Sequence, residues 1–318
     1  MSQTPLITWP LVEPGFHPSL PMEHYLGMPA ASNSRLGQVA IAPAKLKEEM
    51  DNPQAAKDWG NLGTAIHSVV LEPDDFAARY VRAGRCSGEL KSGANKGKQC
   101  THDGKLFTTE GWRCGTHGKG LEEMPNKTAL TGGEWRTCMG IRDNCLAVDS
   151  QHFQPKAHAI LAAADLQAEL TGRWDDPVTG QPAKLRGDGV SDYLGTVADI
   201  KSTRDASPDV FTKTIFALGY YRGAGFYHDG FDVLGRPMKH HIYIAVEKEP
   251  PYLVAVYRLL DDVVQEGLRE ARELMQIYDR CVREDHWPGY PQRIIDIGLP
   301  AWAWKQLAGA QAMQRALL

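Results

Sequence analysis

Apolar positions recur with two periods along this chain, and the change of period marks its elements. Gly63 to Leu71 (Gly-Thr-Ala-Ile-His-Ser-Val-Val-Leu) is apolar enough for a buried helix that stops at Pro73, and Phe76 to Tyr80 extends its packing. Pro43 to Met50 predicts a short helix with proline in its first turn, and Ser32 or Ser34 offers a cap for another. Helical spacing returns at 131–148 and 155–170. Three strand patterns follow, Ala183–Ser191, Gly195–Ser202 and His241–Glu247, with a fourth at Leu253–Leu259. Between the second and third lies a helix over about 208–228, with Phe211, Ile215, Leu218 and Arg222 at helical spacing. The last long helix runs Asp261–Arg283, with Val264, Leu268, Ala271, Met275 and Tyr278 on one face.

Two stretches lack such a period. Residues 1–30 hold six of the 20 prolines, which fix φ and remove donors, so an extended arm is expected there rather than a packed element. Residues 84–120 are rich in Gly, Lys and Cys and read as an insertion. The expected organisation is therefore an arm (1–30), one core in two pieces (31–83 and 121–305), an inserted module (84–120) and a short tail (306–318). At 318 residues with 42% hydrophobic and 23% charged positions, the chain can build a sizeable core without disulfides. No apolar run reaches the roughly 18 residues of a membrane span, and the start, Met-Ser-Gln-Thr-Pro, has no basic or apolar leader pattern. A cytoplasmic protein with reduced or metal-bound cysteines is the expectation.

Charge becomes informative only when split. The whole chain stands at −4, but residues 79–127 hold ten Lys/Arg against five acids, a local +5 that leaves −9 elsewhere. Four metal-ligand types fall in that basic segment: Cys86, Cys100, Cys114 and His117, spaced Cys-x13-Cys-x13-Cys-x2-His. Four soft or imidazole donors suit a tetrahedral structural Zn²⁺. The glycines and lysines around them cannot form a core, so the metal has to organise the loop. The wording Arg85-Cys…Lys-Gln-Cys…Arg-Cys-Gly-Thr-His117 resembles small zinc modules. His102 competes as a ligand, while Cys138, Cys145 and Cys281 fall in helical patterns as packed thiols.

A second constellation lies on the strands. In Thr196-Val-Ala-Asp-Ile-Lys-Ser-Thr203, Asp199 and Lys201 share one face, with Ala198 and Ile200 on the other. A turn at Gly195 would fold this strand against Lys184-Leu-Arg-Gly-Asp188 and bring Asp188 beside Asp199. Two carboxylates with a lysine suit metal-assisted phosphodiester hydrolysis, in which carboxylate oxygens hold Mg²⁺ and the lysine offsets developing charge. Acid-x-Lys alone is weak: Glu89-Leu-Lys91 and Asp103-Gly-Lys105 also have it, but lack a strand context.

These motifs together resemble the RecE-like exodeoxyribonuclease VIII family. Gly63-Thr-Ala-Ile-His-Ser-Val-Val-Leu-Glu-Pro73 is similar to its Gly-Thr-Ala-Leu-His…Leu-Glu-Pro run, and Lys184–Asp188 with Asp199-Ile-Lys201-Ser-Thr to its Arg-Pro-Asp and Asp-x-Lys-Thr-Thr. Ile242–Tyr252, Trp287-Pro and Leu299-Pro-Ala-Trp302 are similar to later segments in the same order. The resemblance implies an α/β PD-(D/E)XK core, a mixed central sheet flanked by helices. It implies His67, Asp188 and Asp199 as Mg²⁺ (or Mn²⁺) ligands, Lys201 as the catalytic lysine and Glu169 as an acid near the 5′ end or metal. Its Gln-x-x-x-Tyr helix motif meets Gly223 and Tyr227 here, so Arg222 or His228 is expected to replace the glutamine on the substrate strand. Lys96 and Lys98 are further DNA-contact candidates. Relatives with an iron–sulfur cluster place one cysteine before the core and three after it. Here the cysteines lie between His67 and Asp188, so no cluster is expected.

The implied activity is Mg²⁺-dependent digestion of linear double-stranded DNA from 5′ to 3′. It would leave 3′ tails for a single-strand annealing partner, in a phage-type homo-oligomer inside a bacterial host cell. The rival expectations are a catalytically weak DNA- or protein-binding adaptor and an endonuclease. No P-loop and no Gly-x-Ser-x-Gly elbow occurs.

Overall fold

A computed structural model describes residues 11–52, 61–102, 104–108, 110–121, 128–147 and 155–316. Residues 1–10 of the arm, Asp103 of the Asp103-Gly-Lys105 motif and the last two residues of the tail lie outside the described residues. In chain order the elements are β1 (Gly15–His17), α1 (Met22–Gly27), α2 (Asn33–Ile41), α3 (Pro43–Asp51), α4 (Asn61–Leu71), α5 (Pro73–Arg79) and β2 (Tyr80–Arg82). Next come β3 (Leu106–Thr108), β4 (Gly111–Arg113), β5 (Thr128–Leu130), α6 (Gly132–Cys145), α7 (Pro155–Leu161), β6 (Gln167–Asp175), β7 (Pro182–Ser191) and β8 (Thr196–Thr203). The chain closes with α8 (Pro208–Ala217), α9 (Tyr220–Val233), β9 (His240–Glu247), β10 (Val254–Arg258), α10 (Asp261–Glu284) and α11 (Ala301–Ala316).

The main sheet has the order β1-β6-β7-β8-β9-β10. All its pairs are antiparallel except β8 with β9, which is parallel in the register Asp199↔Tyr243 and Lys201↔Ala245. A parallel neighbour needs a crossover, and α8 with α9 supplies it. Helices cover both faces. On one face α4, α6 and α7 bury Ile66, Val69, Ile141 and Ile160 against Ala198, Ile200, Ile244 and Val246. On the other, α2, α9 and α10 bury Leu36, Phe226, Phe231 and Met275 against Trp174, Leu185 and Val197. This is the mixed α/β architecture expected from the sequence, with helices on both sides of a central sheet.

Four sequence expectations are corrected. The helical pattern 155–170 ends at Leu161, and β6 begins six residues later. Thr171 and Arg173 are as buried as Trp174, so β6 shows no polar–apolar alternation. The single helix over 208–228 is two, because Gly219 (φ +63°) turns the chain in the left-handed region before α9. The arm is not free: β1 pairs with β6, and Lys184 Nζ donates to the carbonyls of Tyr25 (2.6 Å) and Met28 (2.8 Å). The tail is helical as far as Ala316: α11 begins at Ala301 and runs into it, which its sequence pattern does not suggest. Ser32 does cap α2, accepting from Arg35 N.

The insertion leaves the core at β2 and returns at β5, which pair in parallel (Tyr80↔Thr128, Arg82↔Leu130). Within it β3 and β4 form a hairpin, and Cys86, Cys100 and Cys114 bury together. Among the described residues, no helix is long and apolar enough to cross a membrane.

Candidate active site

The β7–β8 ladder holds at Ser191↔Thr196, Val190↔Val197 and Gly189↔Ala198, then stops. One residue further along are Asp188 and Asp199. There the strands part, and the Asp188 carboxylate accepts the freed Ile200 N–H (2.8 Å). On the other side of β7, the β6 register puts Glu169 opposite Asp188, between Ala168↔Gly189 and Leu170↔Gly187. Glu169 has φ +51°, a left-handed conformation unusual for a residue with a side chain. α4 then places His67 over the gap. Its Nδ1 lies 3.4 Å from Asp188 Oδ2 and 3.9 Å from Glu169 Oε1.

His67, Glu169 and Asp188 thus converge, each offering a donor atom within 4.8 Å of the others. A mixed carboxylate and imidazole set of this kind suits a divalent cation. Burial pushes the Asp188 carboxyl above its usual range; His67 and Lys201 oppose this, and the negative neighbours Asp199 and Glu169 add to it. Crowded, buried anions of this sort are what a cation would relieve. Burial works against charge on His67, but Asp188 and Glu169 raise its pKa overall. For Glu169, burial is outweighed by hydrogen bonds from His67 and Arg186, so its pKa falls. Arg186 Nε donates to Glu169 Oε2 at 2.6 Å, and its other arm reaches the Leu20 carbonyl at 2.8 Å.

Asp199 and Lys201 stand beside this group on the face opposite Ala198 and Ile200. Asp199 is not one of the three clustered donors: its Oδ2 is taken by Lys201 Nζ (3.6 Å) and His241 Nε2 (3.2 Å). Of the expected ligands, His67 and Asp188 fall in this group; Glu169 joins them, and Asp199 stands beside them with Oδ2 engaged. Burial would raise Asp199, but Lys201 and His241 hold its carboxyl well below the usual carboxylate range. Conversely, Asp199 and Asp188 outweigh burial and keep the Lys201 ammonium charged. The same ammonium sits 5.5 Å over the Tyr220 ring and 5.9 Å over Tyr243. An open cleft of about 290 Å³ leads in, lined among others by Thr64, His67, Ser68, Glu72, Glu169 and Arg186.

Arg222 is corrected outright. It is buried, with Nε donating to Asn33 Oδ1 (3.0 Å) and one terminal nitrogen bonding Glu270 Oε1 (3.1 Å), so it packs α9 onto α2 and α10. Gly223 is equally structural, since a Cβ there would lie 2.7 Å from Asn33 Nδ2. Tyr227 donates its hydroxyl to the Arg186 carbonyl (2.9 Å) and braces β7 rather than lining the cleft. Sequence reasoning missed His241 and the partnership of Arg186 with Glu169. The one usable signal was period: His241 is two residues before Tyr243, which pairs with Asp199, so both histidine and aspartate face the same way.

In the insertion, Cys86 Sγ and Cys114 Sγ lie 3.3 and 3.4 Å from His117 Nδ1, and Cys100 Sγ lies 4.0 Å from Cys114 Sγ. A zinc tetrahedron with Zn–S of about 2.3 Å and Zn–N of about 2.0 Å has edges of roughly 3.8 and 3.5 Å. The four donors therefore fit that ion. Hydrogen bonding by the His117 backbone lowers the Cys114 thiol to about 6. His102 stays outside the four, with Nδ1 3.3 Å from Cys100 Sγ. Lys96 and Lys98 are exposed on this module.

Residues 165–294, the segment from β6 through α10, match the PDDEXK-like domain of unknown function (DUF3799). The match contains Glu169, Asp188, Asp199 and Lys201. No curated protein matches the chain. Among solved structures, a Eubacterium rectale protein provisionally designated an exonuclease superposes with a TM-score of 0.53 at 12% identity, over 89% of this chain and 96% of that one. At that identity the likeness is one of fold. The protein SSO0001 is 15% identical over 39% of this chain and 55% of its own, with a TM-score of 0.26, which carries no argument.

Proposed function

We propose that this chain is a metal-dependent nuclease, and more narrowly an exodeoxyribonuclease of RecE-like type that acts on the ends of linear double-stranded DNA. The observation that carries the reading is the parting of β7 and β8, which sets Asp188 against His67 and Glu169, with the Asp199–Lys201 pair beside them, next to a cleft that His67 and Glu169 line. On this reading residues 31–83 and 121–305 are the nuclease core, and 84–120 are a zinc-bound basic module whose Lys96 and Lys98 contact DNA. Digestion would run 5′ to 3′ and leave 3′ tails for a single-strand annealing partner. The protein would work as a phage-type homo-oligomer in the cytoplasm.

His67, Glu169 and Asp188, with Asp199 beside them, would hold Mg²⁺ or Mn²⁺. Bound there, the ion supplies Lewis-acid polarisation of the phosphoryl oxygen and a water of lowered pKa. The protein's own groups set the rest. Lys201 enters as an ammonium, because Asp199 and Asp188 hold its proton. In that state it can donate a hydrogen bond to developing phosphoryl charge. His241 keeps Asp199 oriented and anionic. Arg186 holds Glu169 at β6, and Thr64 and Ser68 offer hydroxyls along the cleft wall.

Digestion of end-labelled linear duplex and closed circular DNA with Mg²⁺ tests this, comparing the native chain with Asp199→Ala. Progressive release from linear DNA only, absent in the variant, is the expected result. The end lost first gives the polarity. Nicking of circles would make the enzyme an endonuclease, and retained binding without any hydrolysis would make it an adaptor.

A further inference from the structure

Where the module joins the core there is a second cleft, of about 400 Å³, lined by Arg82, Ala83, Gly84, Arg85, Gly132 and Arg136. Three arginines thus line one opening with no Asp or Glu in its lining. Among the described residues, none of the three has a carboxylate within ion-pair distance, although Arg79, Arg113 and Arg142 nearby in sequence all do. Glu134 is the nearest acid in sequence to Arg136, and it is committed to the α6 cap, accepting from Thr131 N at 2.8 Å.

The three arginines are presented by rigid backbone. Arg82 ends β2, locked to β5 in the register Arg82↔Leu130. Ala83 N donates to the Leu130 carbonyl and Gly84 accepts from Gly104 N, both at 2.7 Å. Trp112 packs on Gly84 so closely that a Cβ there would lie 2.3 Å from its ring. Arg85 directly precedes the metal-ligand candidate Cys86, whose N–H bonds the His102 carbonyl at 2.9 Å. Arg136 stands in the second turn of α6, which starts two residues after β5. The backbone is therefore tied down on the core side of this cleft by Leu130 and on the module side by Gly104. Three exposed cations at one opening without a carboxylate partner attract an anion. Guanidinium groups grip phosphate in a bidentate way, and an open, polar cleft suits a polymer backbone better than an enclosed small ligand.

Its position points the same way. Arg79 ends α5 and lines the catalytic cleft, and Arg82 lines the second. Three residues span at most about 10 Å, or about three base-pair steps at ~3.4 Å each. We propose that Arg82, Arg85 and Arg136 form a phosphate-binding cleft that grips the sugar–phosphate backbone of DNA engaged at the catalytic cleft. The proposal rests on the nuclease reading above.

The test measures duplex binding by fluorescence anisotropy between 50 and 200 mM salt. It uses the full chain carrying Asp199→Asn, with and without Arg82→Gln, Arg85→Gln and Arg136→Gln. The slope of log K against log salt should fall by about two to three in the triple variant, near 0.9 per lost contact. Affinity at 100 mM salt should fall about 10- to 100-fold, with zinc content and melting temperature unchanged. Should the triple variant fail to fold, each single variant should take about 0.9 off the slope. In the chain with Asp199 intact, the same three substitutions should raise the half-saturating DNA concentration and leave the rate at saturation within a few-fold. Unchanged slope and affinity, in a protein that cleaves DNA, overturns the cleft and leaves the nuclease reading standing. A protein that never cleaves DNA yet loses slope on these substitutions overturns the nuclease reading and leaves the cleft standing.

Discussion

His241 Nε2 lies 3.2 Å from Asp199 Oδ2, across the parallel β8–β9 pair. Lys201 shares that oxygen, and Oδ1 takes no hydrogen bond from a described residue. His241 is thus a positioning residue: it fixes the rotamer of Asp199 through Oδ2 and leaves Oδ1 without such a partner. Groups that orient a metal's ligands typically matter 10- to 100-fold for metal affinity or activity. His241→Leu should therefore raise the Mn²⁺ concentration for half-maximal hydrolysis by about that factor. A melting temperature close to native would separate positioning from packing. An unchanged Mn²⁺ requirement would remove His241 from the site.

Asp188 gives a stability prediction with a sign. Burial first, then Asp199 and Glu169, raise its folded pKa above the unfolded value, against the pull of His67 and Lys201. Between those two values the folded state holds more protons than the unfolded state, so stability falls as pH rises through that window. Above it the full penalty of the buried charge remains. Asp188→Asn keeps an oxygen for the Ile200 N–H and removes the charge. In metal-free protein it should melt higher than native at pH 7 to 8, with the difference shrinking toward pH 4, while hydrolysis is lost. Each kcal/mol is worth about 2–4 °C in a domain of this size. A variant less stable than native at neutral pH would mean that the neighbouring cations already offset the charge.

The helical and strand periods place β7 to β10, α4 and α10 within a few residues of where they lie. Asp199 and Lys201 on one face, with Asp188 across a hairpin, follow from period two alone. What escapes has a physical cause. β6 is buried on both faces, so Thr171 and Arg173 hide its alternation. Gly219 breaks a continuous helical pattern by one left-handed residue. Arg222 looks like a surface cation at helical spacing, yet it is buried by Asn33 and Glu270, which lie 189 and 48 residues away. His241 meets Asp199 only through a parallel pairing that no local pattern announces.

The Cys/His cluster makes a prediction about protons. His117's backbone hydrogen bond brings Cys114 to about 6, so at pH 7.5 it is already a thiolate. Cys100 also has a backbone hydrogen bond, from His102, but burial and the adjoining thiols push it up, so it is still protonated. Zinc binds thiolates, so protons on the thiols are released on loading. Calorimetric titration of apo-protein with Zn²⁺ in two buffers of different ionisation enthalpy counts them. Cys100→Ser should lower the count by about one, and Cys114→Ser by much less. Equal losses from the two variants would contradict the asymmetry.

α9 and α10 approach closely at two glycines, and this contact positions the catalytic strand indirectly. A Cβ on Gly225 would lie 2.0 Å from Leu268 N, and one on Gly267 would lie 2.0 Å from the Tyr221 carbonyl. Both obstacles are backbone, so neither can swing aside. α9 in turn carries Tyr220, over the Lys201 ammonium, and Tyr227, bonded to Arg186. Gly225→Ala or Gly267→Ala should cost about 3 kcal/mol in urea unfolding, near the upper end for overpacked cores. That is despite a gain of about 1 kcal/mol in helix propensity. Hydrolysis should fall with the displacement of Tyr220. Gly223→Ala is the internal contrast, since its obstacle is the Asn33 side-chain amide at 2.7 Å, which can rotate away. It should cost clearly less than Gly225→Ala, and equal losses at the two positions would mean that α9 as a whole, rather than the backbone contact at Gly225 and Gly267, sets the strain.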